Sequence, residues 1–268
     1  SIFAIFTLIL VIPTANAQLT IGSDVKQELI EVKINDKGEV DVKHIVKASN
    51  MPATVHLFSG TISNLLITNE MGEEKTSGIA DDGNGNQSVL ILPSKENSII
   101  EYNLENIILK DNLFATQISY AEKFSIVFDD QIKMIFVNNN VIFLENKKGI
   151  SVNGGGEINI GFYSNIPKMV KEIQWEENKF DVEIITDSKI ENFNFDQTSK
   201  SISFEVNEVN KYVTISMSEE LLGGPYVILL DTEKIEYTKS EKDGYVTLSV
   251  KPESTGEITI IGTTVIPE

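Results

Sequence analysis

Two histidines are the side chains of this 268-residue sequence best suited to proton transfer, because an imidazole ring titrates near neutral pH. His44 falls on the apolar face of an alternating segment, and His56 lies between Val55 and Leu57. Neither has a partner at metal-ligand spacing, and the H-E-x-x-H and G-x-S-x-G sequences of zinc proteases and serine hydrolases do not occur. We therefore expect both histidines to be structural residues at a sheet margin.

Forty carboxylates could supply the two acids that a glycosidase needs on opposite sides of a cleft. With so many acids, no single pair stands out. Trp175-Glu176-Glu177 is the most suggestive local group, because an aromatic ring beside acids can line a sugar site. A lone tryptophan in a β-sandwich is more often part of the core, however, and we predict that this protein is not an enzyme.

The acidic run from Asp81 to Asn86 places Asp82, Asn84 and Asn86 at alternate positions, as in calcium loops. An EF-hand also needs glycine at the sixth position and glutamate at the twelfth, and this run has neither. We predict a flexible acidic turn in a long exposed loop at residues 70–87. A surface cation site at Asp81, Asp82, Asn84 and Asn86 is the alternative. The N-glycosylation sequon that begins at Asn86 makes this residue a candidate for modification.

We expect no cofactor. The chain has no cysteine, which excludes disulfides, thiolate zinc sites and iron–sulfur clusters. Gly154-Gly155-Gly156 is not followed by the lysine-serine pair or the helix of a phosphate loop, so these glycines predict a turn.

The charge of the chain argues against nucleic acid as a partner. The formal net charge is −18 at pH 7, and all 22 basic residues are lysines. Nucleic acids are bound by cationic surfaces, and arginine is the residue whose planar fork grips phosphate or carboxylate in two hydrogen bonds. The sequence therefore predicts an acidic exterior and no nucleic-acid partner.

Period-two alternation runs through most of the chain and indicates β-strands. Residues 30–34 alternate apolar and charged side chains, and after a turn around Gly38 the pattern resumes as far as Val46. No segment keeps the apolar spacing of an amphipathic helix for three turns. We predict an all-β protein of two tandem β-sandwich domains, at residues 18–167 and 168–268, the second of them immunoglobulin-like.

Residues 1–17 have the features of a secretory signal peptide. The apolar run at 2–12 is followed by Ala15-Asn16-Ala17, a small-residue cleavage sequence, before Gln18. A transmembrane helix needs about 20 apolar residues, so this run is too short to span a bilayer. We predict cleavage between Ala17 and Gln18, export, and an extracellular location at the cell surface.

Three segments, KSISFEV, LLGGPY and ITIIGTTVIPE, occur in this order over the last third of the chain. They resemble the membrane-proximal immunoglobulin-like domain of archaeal exported cell-surface proteins, which commonly ends in a Pro-Glu-Phe sorting or anchoring signal. The resemblance implies an envelope setting and a membrane anchor beyond Pro267-Glu268, where this sequence ends. We expect the gene to continue with phenylalanine, about 20 apolar residues and a short basic tail.

Three functions are open on this reading. We favour a non-enzymatic cell-surface protein with a structural or adhesive role, whose partner is an envelope protein or a glycan. The alternative is an extracellular module that binds glycan or a divalent cation through the loop at 70–87 or the Trp175 region. A secreted hydrolase with a carboxylate pair is the third. An exposed Trp175 would favour the second function, and two carboxylates facing each other in a deep cleft would favour the third.

Overall fold

The computed structural model describes residues 23–24, 26–81, 86–144, 148–175 and 177–263. All the regular secondary structure in these ranges is β-strand, which confirms the all-β prediction. None of the described residues forms a helix with the length and apolar character needed to cross a membrane.

The N-terminal half extends to Phe162. Its strands are β1 (Ser23–Asp24), β2 (Gln27–Ile34), β3 (Val40–Val46), β4 (Ala53–His56), β5 (Thr61–Thr68), β6 (Ser77–Asp81), β7 (Gln87–Ile91), β8 (Ser98–Glu105), β9 (Ile108–Lys110), β10 (Leu113–Tyr120), β11 (Phe124–Phe128), β12 (Met134–Val137), β13 (Asn140–Phe143), β14 (Gly149–Val152) and β15 (Gly156–Phe162).

The C-terminal half begins at Lys168. Its strands are β16 (Lys168–Trp175), β17 (Asn178–Thr186), β18 (Ile190–Asp196), β19 (Ser201–Val206), β20 (Val213–Ser218), β21 (Val227–Leu230), β22 (Glu233–Lys234), β23 (Thr238–Lys242), β24 (Tyr245–Val250) and β25 (Gly256–Ile261).

Three sheets form the N-terminal half. The six-stranded sheet has the order β14-β11-β2-β3-β8-β5, the five-stranded sheet β13-β12-β15-β10-β9, and the four-stranded sheet β1-β4-β7-β6. Neighbouring strands pair antiparallel, apart from the parallel pairs β2–β11 and β1–β4.

One face of the six-stranded sheet is buried because successive side chains of a strand point to opposite faces. Along β2, Ile30, Val32 and Ile34 are buried, while the residues between them are partly or fully exposed. The buried side chains of β2, β3, β8 and β11 pack with those of the other two sheets into one core. Burial of this apolar surface, worth about 25 cal/mol per Å², is the main stabilising term. The opposite face of the sheet is left to solvent.

The C-terminal half consists of two antiparallel sheets in the orders β16-β17-β20-β24-β23 and β18-β19-β25-β21-β22. Their inward-facing residues form a second core, in which Ile184, Ile215 and Leu248 of the first sheet meet Ile202 and Ile258 of the second. The packing is that of a sandwich. Its immunoglobulin-like character and a domain boundary at the β15–β16 connection stay predictions.

The region expected to be one long exposed loop, residues 70–87, contains a strand. Within it, β6 pairs antiparallel with β7 from Ser77 to Asp81. Its sequence, SGIAD, lacks the apolar–polar alternation that predicts a strand, because β6 lies at the edge of its sheet and its residues are mostly exposed. Backbone pairing to β7, and not side-chain burial, defines this strand.

Gly154 and Gly155 lie in the predicted turn between β14 and β15, and Gly156 begins β15. Gly155 has φ of +73°, and a Cβ atom there would lie 2.3 Å from the carbonyl oxygen of Ala121. Both the left-handed backbone and this close approach require glycine.

Candidate functional site

His44 lies in the middle of the N-terminal core and not at a sheet margin, because β3 is an interior strand. Its Nδ1 is 2.7 Å from Oε1 of Gln27, and its Nε2 is 3.1 Å from the Tyr102 hydroxyl. Gln27 also donates from Nε2 to the Glu122 carboxylate at 2.8 Å. A carboxylate only accepts, so this bond fixes the orientation of the Gln27 amide. His44 therefore donates from Nδ1, and its Nε2 accepts from Tyr102.

Other hydrogen bonds of this network join tyrosine side chains to the backbone. The Tyr102 hydroxyl accepts from the backbone N–H of Phe58 at 3.0 Å, and Tyr120 donates to the carbonyl of His56 at 2.7 Å. Burial lowers the pKa of His44 to about 4, so the ring is neutral at pH 7. The His56 ring is exposed. Both histidines thus serve structure, His44 through its ring and His56 through its backbone.

Trp175 is only 7% exposed, and its ring packs against Phe195 with the centroids 5.6 Å apart. An indole buried in this way presents no face on which a sugar could stack. The core position expected for the lone tryptophan is confirmed, so the exposed ring that would have favoured a glycan site in this region is not present. Glu176, its neighbour in the sequence, lies outside the described residues.

A groove of about 380 Å³ crosses the outer face of the six-stranded sheet, on the side away from the core. Its floor consists of polar residues from β2, β3 and β8 that stand opposite one another in two rows. One row is Glu31, Lys43 and Glu101, and the other is Lys33, Asp41 and Asn103. Opposite charges on facing strands stabilise the sheet, and the two lysines of this floor offset two of its three carboxylates.

Hydrogen bonds order the polar groups of the groove. Asn103 donates from Nδ2 to the Asp41 carboxylate at 2.5 Å and accepts at Oδ1 from Asn64 at 2.6 Å. Nζ of Lys43 lies 2.9 Å from Oε1 of Glu101. Because these groups are already held in place, a ligand that bonded to their remaining donors and acceptors would order few side chains.

A β-bulge forms one end of the groove. The pairing of β5 with β8 shifts between Ser63 and Leu66, and Asn64 adopts φ of +53°. Bulges re-aim side chains, and here the Asn64 amide reaches Asn103 while Leu66 stays 40% exposed beside it. The groove therefore combines ordered polar groups with a small apolar surface, a composition that suits a polar ligand.

No motif in the sequence marks this groove. The only signal is that the charged groove residues of β2 and β3 occupy positions between the apolar residues of segments 30–34 and 40–46. A period-two pattern assigns these positions to the outer face. Which outer residues stand opposite one another depends on strand pairing, and alternation within one strand carries no information about its partner.

A third apolar cluster joins the two halves. Tyr212, from the C-terminal half, packs with Met134 and Phe136 of the N-terminal half and with Tyr163 of the connection between the halves. Its ring stacks on that of Phe136, and its hydroxyl donates to Oδ1 of Asn139 at 3.0 Å. This cluster therefore forms a junction between the two halves.

A shielded ion pair lies beside this cluster. Nζ of Lys211 is 3.0 Å from Oδ2 of Asp187, and the two side chains are only 12% and 18% exposed. Lys211 also donates to the carbonyl of Asp111 at 2.8 Å, and Asn112 donates to the Asp187 carboxylate at 3.1 Å. The last two contacts cross from one half to the other, so the pair is part of the junction.

Protein-family models and curated proteins give no match to this chain. Its function is therefore inferred from the residues and contacts described above.

The acidic segment lies between β6 and β7 in the sequence. Asp81 ends β6 and Asn86 precedes β7, whereas Asp82 and Asn84 lie outside the described residues. Asn86 is exposed, and its Oδ1 accepts from the Ser59 hydroxyl at 3.2 Å. Across the described parts of the chain, no three histidine, aspartate or glutamate residues come together as a metal-binding group. The cation site and glycosylation at Asn86 stay predictions.

Both ends of the sequence that carry the localisation signals, Ala17-Gln18 and Pro267-Glu268, lie outside the described residues. Signal cleavage and a C-terminal anchor stay predictions.

Proposed function

We propose that this protein is a non-enzymatic cell-surface protein with a structural or adhesive role in an envelope of the archaeal type. The observation that carries the proposal is the junction, where Tyr212 stacks on Phe136 and Lys211 pairs with Asp187. Contacts between parts of one chain are commonly polar and permit relative motion. A buried aromatic and ionic junction favours a fixed shape instead, which suits a protein that bears or presents other components.

The energies of these contacts support a fixed junction. Removing one partner of a buried ion pair costs about 3–5 kcal/mol, and an aromatic pair adds about 0.5–1.5 kcal/mol beyond the area it buries. Lys211 and Asp187 retain some exposure, so screening by solvent reduces the first figure to about 1–3 kcal/mol. The sum is still a large share of the 5–15 kcal/mol by which a domain is stable.

The sequence supports the cellular setting. The signal-peptide features of residues 1–17 favour export, and the C-terminal resemblance favours a position close to the membrane. A net charge of −18 keeps such a surface soluble and repels anionic lipid headgroups.

Sedimentation of residues 18–268 with isolated archaeal cell envelopes tests the proposal. We expect the chain to sediment with the envelopes and to release neither sugar nor peptide from them. Tyr212→Ala should weaken the association, whereas Val209→Ala, at a residue that is 45% exposed, should leave it unchanged. Failure to sediment, or release of envelope fragments by the purified protein, would overturn the proposal.

The groove on the six-stranded sheet favours a second candidate function, an extracellular module that binds a small glycan. Its alternating lysines make it unsuitable for a divalent cation, because they repel the ion that the carboxylates would attract. Titration with monosaccharides, followed by NMR, tests this function. Asn103→Ala should abolish the response and Asn159→Ala, at an exposed position outside the groove, should not. A response that survives Asn103→Ala excludes the groove as the binding site.

A further inference from the structure

A cleft of about 1020 Å³ separates the hairpin strand β13 from the outer face of the first C-terminal sheet. Sites for small molecules commonly occupy about 300–1,000 Å³ and lie between domains. This cleft is therefore at the upper end of the range and has room for several sugar rings. It is distinct from the groove on the six-stranded sheet and shares none of its residues.

The floor of the cleft is a row of polar side chains that crosses four strands. Glu183 on β17 stands opposite Ser216 on β20, Ser216 opposite Thr247 on β24, and Thr247 opposite Ser240 on β23. The Thr247 hydroxyl donates to that of Ser216 at 3.2 Å. Three strand spacings make the row about 14 Å long. Hydroxyls can both donate and accept, so the row can form hydrogen bonds with sugar hydroxyls as donor or as acceptor.

An apolar wall faces this polar floor. Val141 and Phe143 of β13 are half-buried and pack against the Tyr212 cluster, and their remaining surface lines the cleft. A sugar ring is amphipathic, with apolar C–H faces and a polar rim. A cleft with one apolar wall and a hydroxyl floor matches both parts.

Tyr245 provides a surface for stacking at the open end. It is 53% exposed, so much of its ring is open to solvent. It follows the Asp243-Gly244 turn, in which both residues have positive φ, as in the tight turns preferred by hairpins. The turn holds the exposed ring at the rim of the cleft, where stacking adds to the energy of burial.

We propose that this cleft binds a neutral oligosaccharide, with the sugar chain along the hydroxyl row and one ring stacked on Tyr245. The inference rests on the adhesive role proposed above and names the ligand class and the site. A neutral ligand is chosen because Glu183 and Asp243 line the cleft and the whole chain is acidic, so an anionic sugar would be repelled.

Glu183 and Glu241, two of the three carboxylates that line the cleft, stand too far apart to act together as the carboxylate pair of a glycosidase. Glu183 on β17 and Glu241 on β23 are about three strand spacings apart, roughly 14 Å, whereas glycoside hydrolysis uses carboxyl groups about 5–9.5 Å apart. Each of these carboxylates also forms an ion pair with a lysine, Glu183 with Lys168 at 2.5 Å and Glu241 with Lys239 at 2.6 Å.

The test uses residues 18–268 with maltotriose, mannotriose and cellotriose as neutral probes and trigalacturonic acid as the charged control. Binding is measured by calorimetry and by chemical-shift changes. We expect at least one neutral probe to bind and the acid to bind at least tenfold more weakly. Tyr245→Ala and Thr247→Val should each weaken binding about tenfold. Thr259→Val, the matched change on the other sheet of the C-terminal half, should have no effect.

Each remaining outcome decides against the proposal in a defined way. If no neutral probe binds, or binding survives both cleft variants, the cleft is not the site. If trigalacturonic acid binds equally well, the preference for neutral sugars is wrong. Envelope sedimentation that is unchanged by Tyr245→Ala would overturn the cleft proposal while leaving the adhesive role intact. If the unmodified protein does not sediment with the envelopes, the proposed adhesive role itself is wrong.

Discussion

The ring of Tyr212 lies face to face with the ring of Phe136, with the centroids 3.6 Å apart and the planes 12° from parallel. The two residues come from different halves of the chain, and Nζ of Lys251 lies over the Tyr212 ring, 4.9 Å from its centroid. Stacking and cation–π attraction therefore act on one side chain, which makes Tyr212 the central residue of the junction.

Replacing this ring should destabilise the protein markedly. We expect Tyr212→Ala to lower the free energy of unfolding by about 3 kcal/mol, because it removes a ring that is only 5% exposed and leaves a cavity. Urea denaturation followed by circular dichroism measures this change. Tyr245→Ala, at a tyrosine that is 53% exposed, is the matched control and should cost no more than about 0.5 kcal/mol. Equal losses in the two variants would contradict a stabilising junction.

The Lys211–Asp187 pair should show a measurable coupling energy. We expect Lys211→Ala to cost about 1–3 kcal/mol, because it leaves the shielded Asp187 carboxylate without its cation. A double-mutant cycle with Asp187→Ala isolates the pairwise energy. The same cycle on Lys239 and Glu241, which are 45% and 49% exposed, should give no resolvable coupling, because solvent screens the pair. A junction pair no stronger than this surface pair would refute the prediction.

His44 should make the protein sensitive to acid. Its pKa in the folded state is lowered to about 4 from 6.5, so between these values the unfolded state binds the proton more readily. The stability contributed by the neutral ring is complete above pH 6.5 and is lost as the pH falls towards 4, by about 3 kcal/mol in total.

The difference in unfolding free energy between pH 7.5 and pH 4.5 measures this effect. His44→Gln should reduce the difference, since glutamine does not titrate, and His56→Gln, at an exposed ring, should leave it unchanged. Carboxylates also titrate in this range, so the comparison between variants is decisive and the wild-type slope alone is not. Identical slopes in all three proteins would exclude His44 as the cause.

Two neighbouring glycines allow a clash to be separated from backbone strain. Gly154 and Gly155 have φ of +83° and +73°, but only at Gly155 would a Cβ atom meet a backbone oxygen, at 2.3 Å. Gly154→Ala should cost about 1–2 kcal/mol, because a residue with a Cβ atom is strained in the left-handed backbone conformation. Gly155→Ala should cost about 1–3 kcal/mol more, from the added overlap. Similar melting temperatures for the two variants would show that the close approach to Ala121 is not rigid.

Export can be checked directly. We expect the protein secreted from an archaeal host to begin at Gln18, because Ala15-Asn16-Ala17 has the small residues that signal peptidase needs. Mass spectrometry of the mature N-terminus measures this. A mature protein that retains residues 2–12 would show that the apolar run is not a cleaved signal.

Period two by itself was enough to determine the class of this fold. In β19 and β24, apolar residues alternate with polar ones because one face of each strand is buried, and this pattern is visible in the sequence. The alternation also assigned His44 to the buried face of β3. It could not show that β3 is an interior strand, since the position of a strand in a sheet depends on its partners.

The candidate sites, in contrast, depended on tertiary structure alone. The row from Glu183 to Ser240 joins residues that are far apart in the chain, and it exists only because four strands pair in one register. The same is true of Asp41 and Asn103 in the groove and of Tyr212 and Phe136 at the junction. Local propensity and burial are properties of a segment and its spacing, so the sequence determined them. Register and stacking are relations between distant segments, and packing of the whole chain decided them.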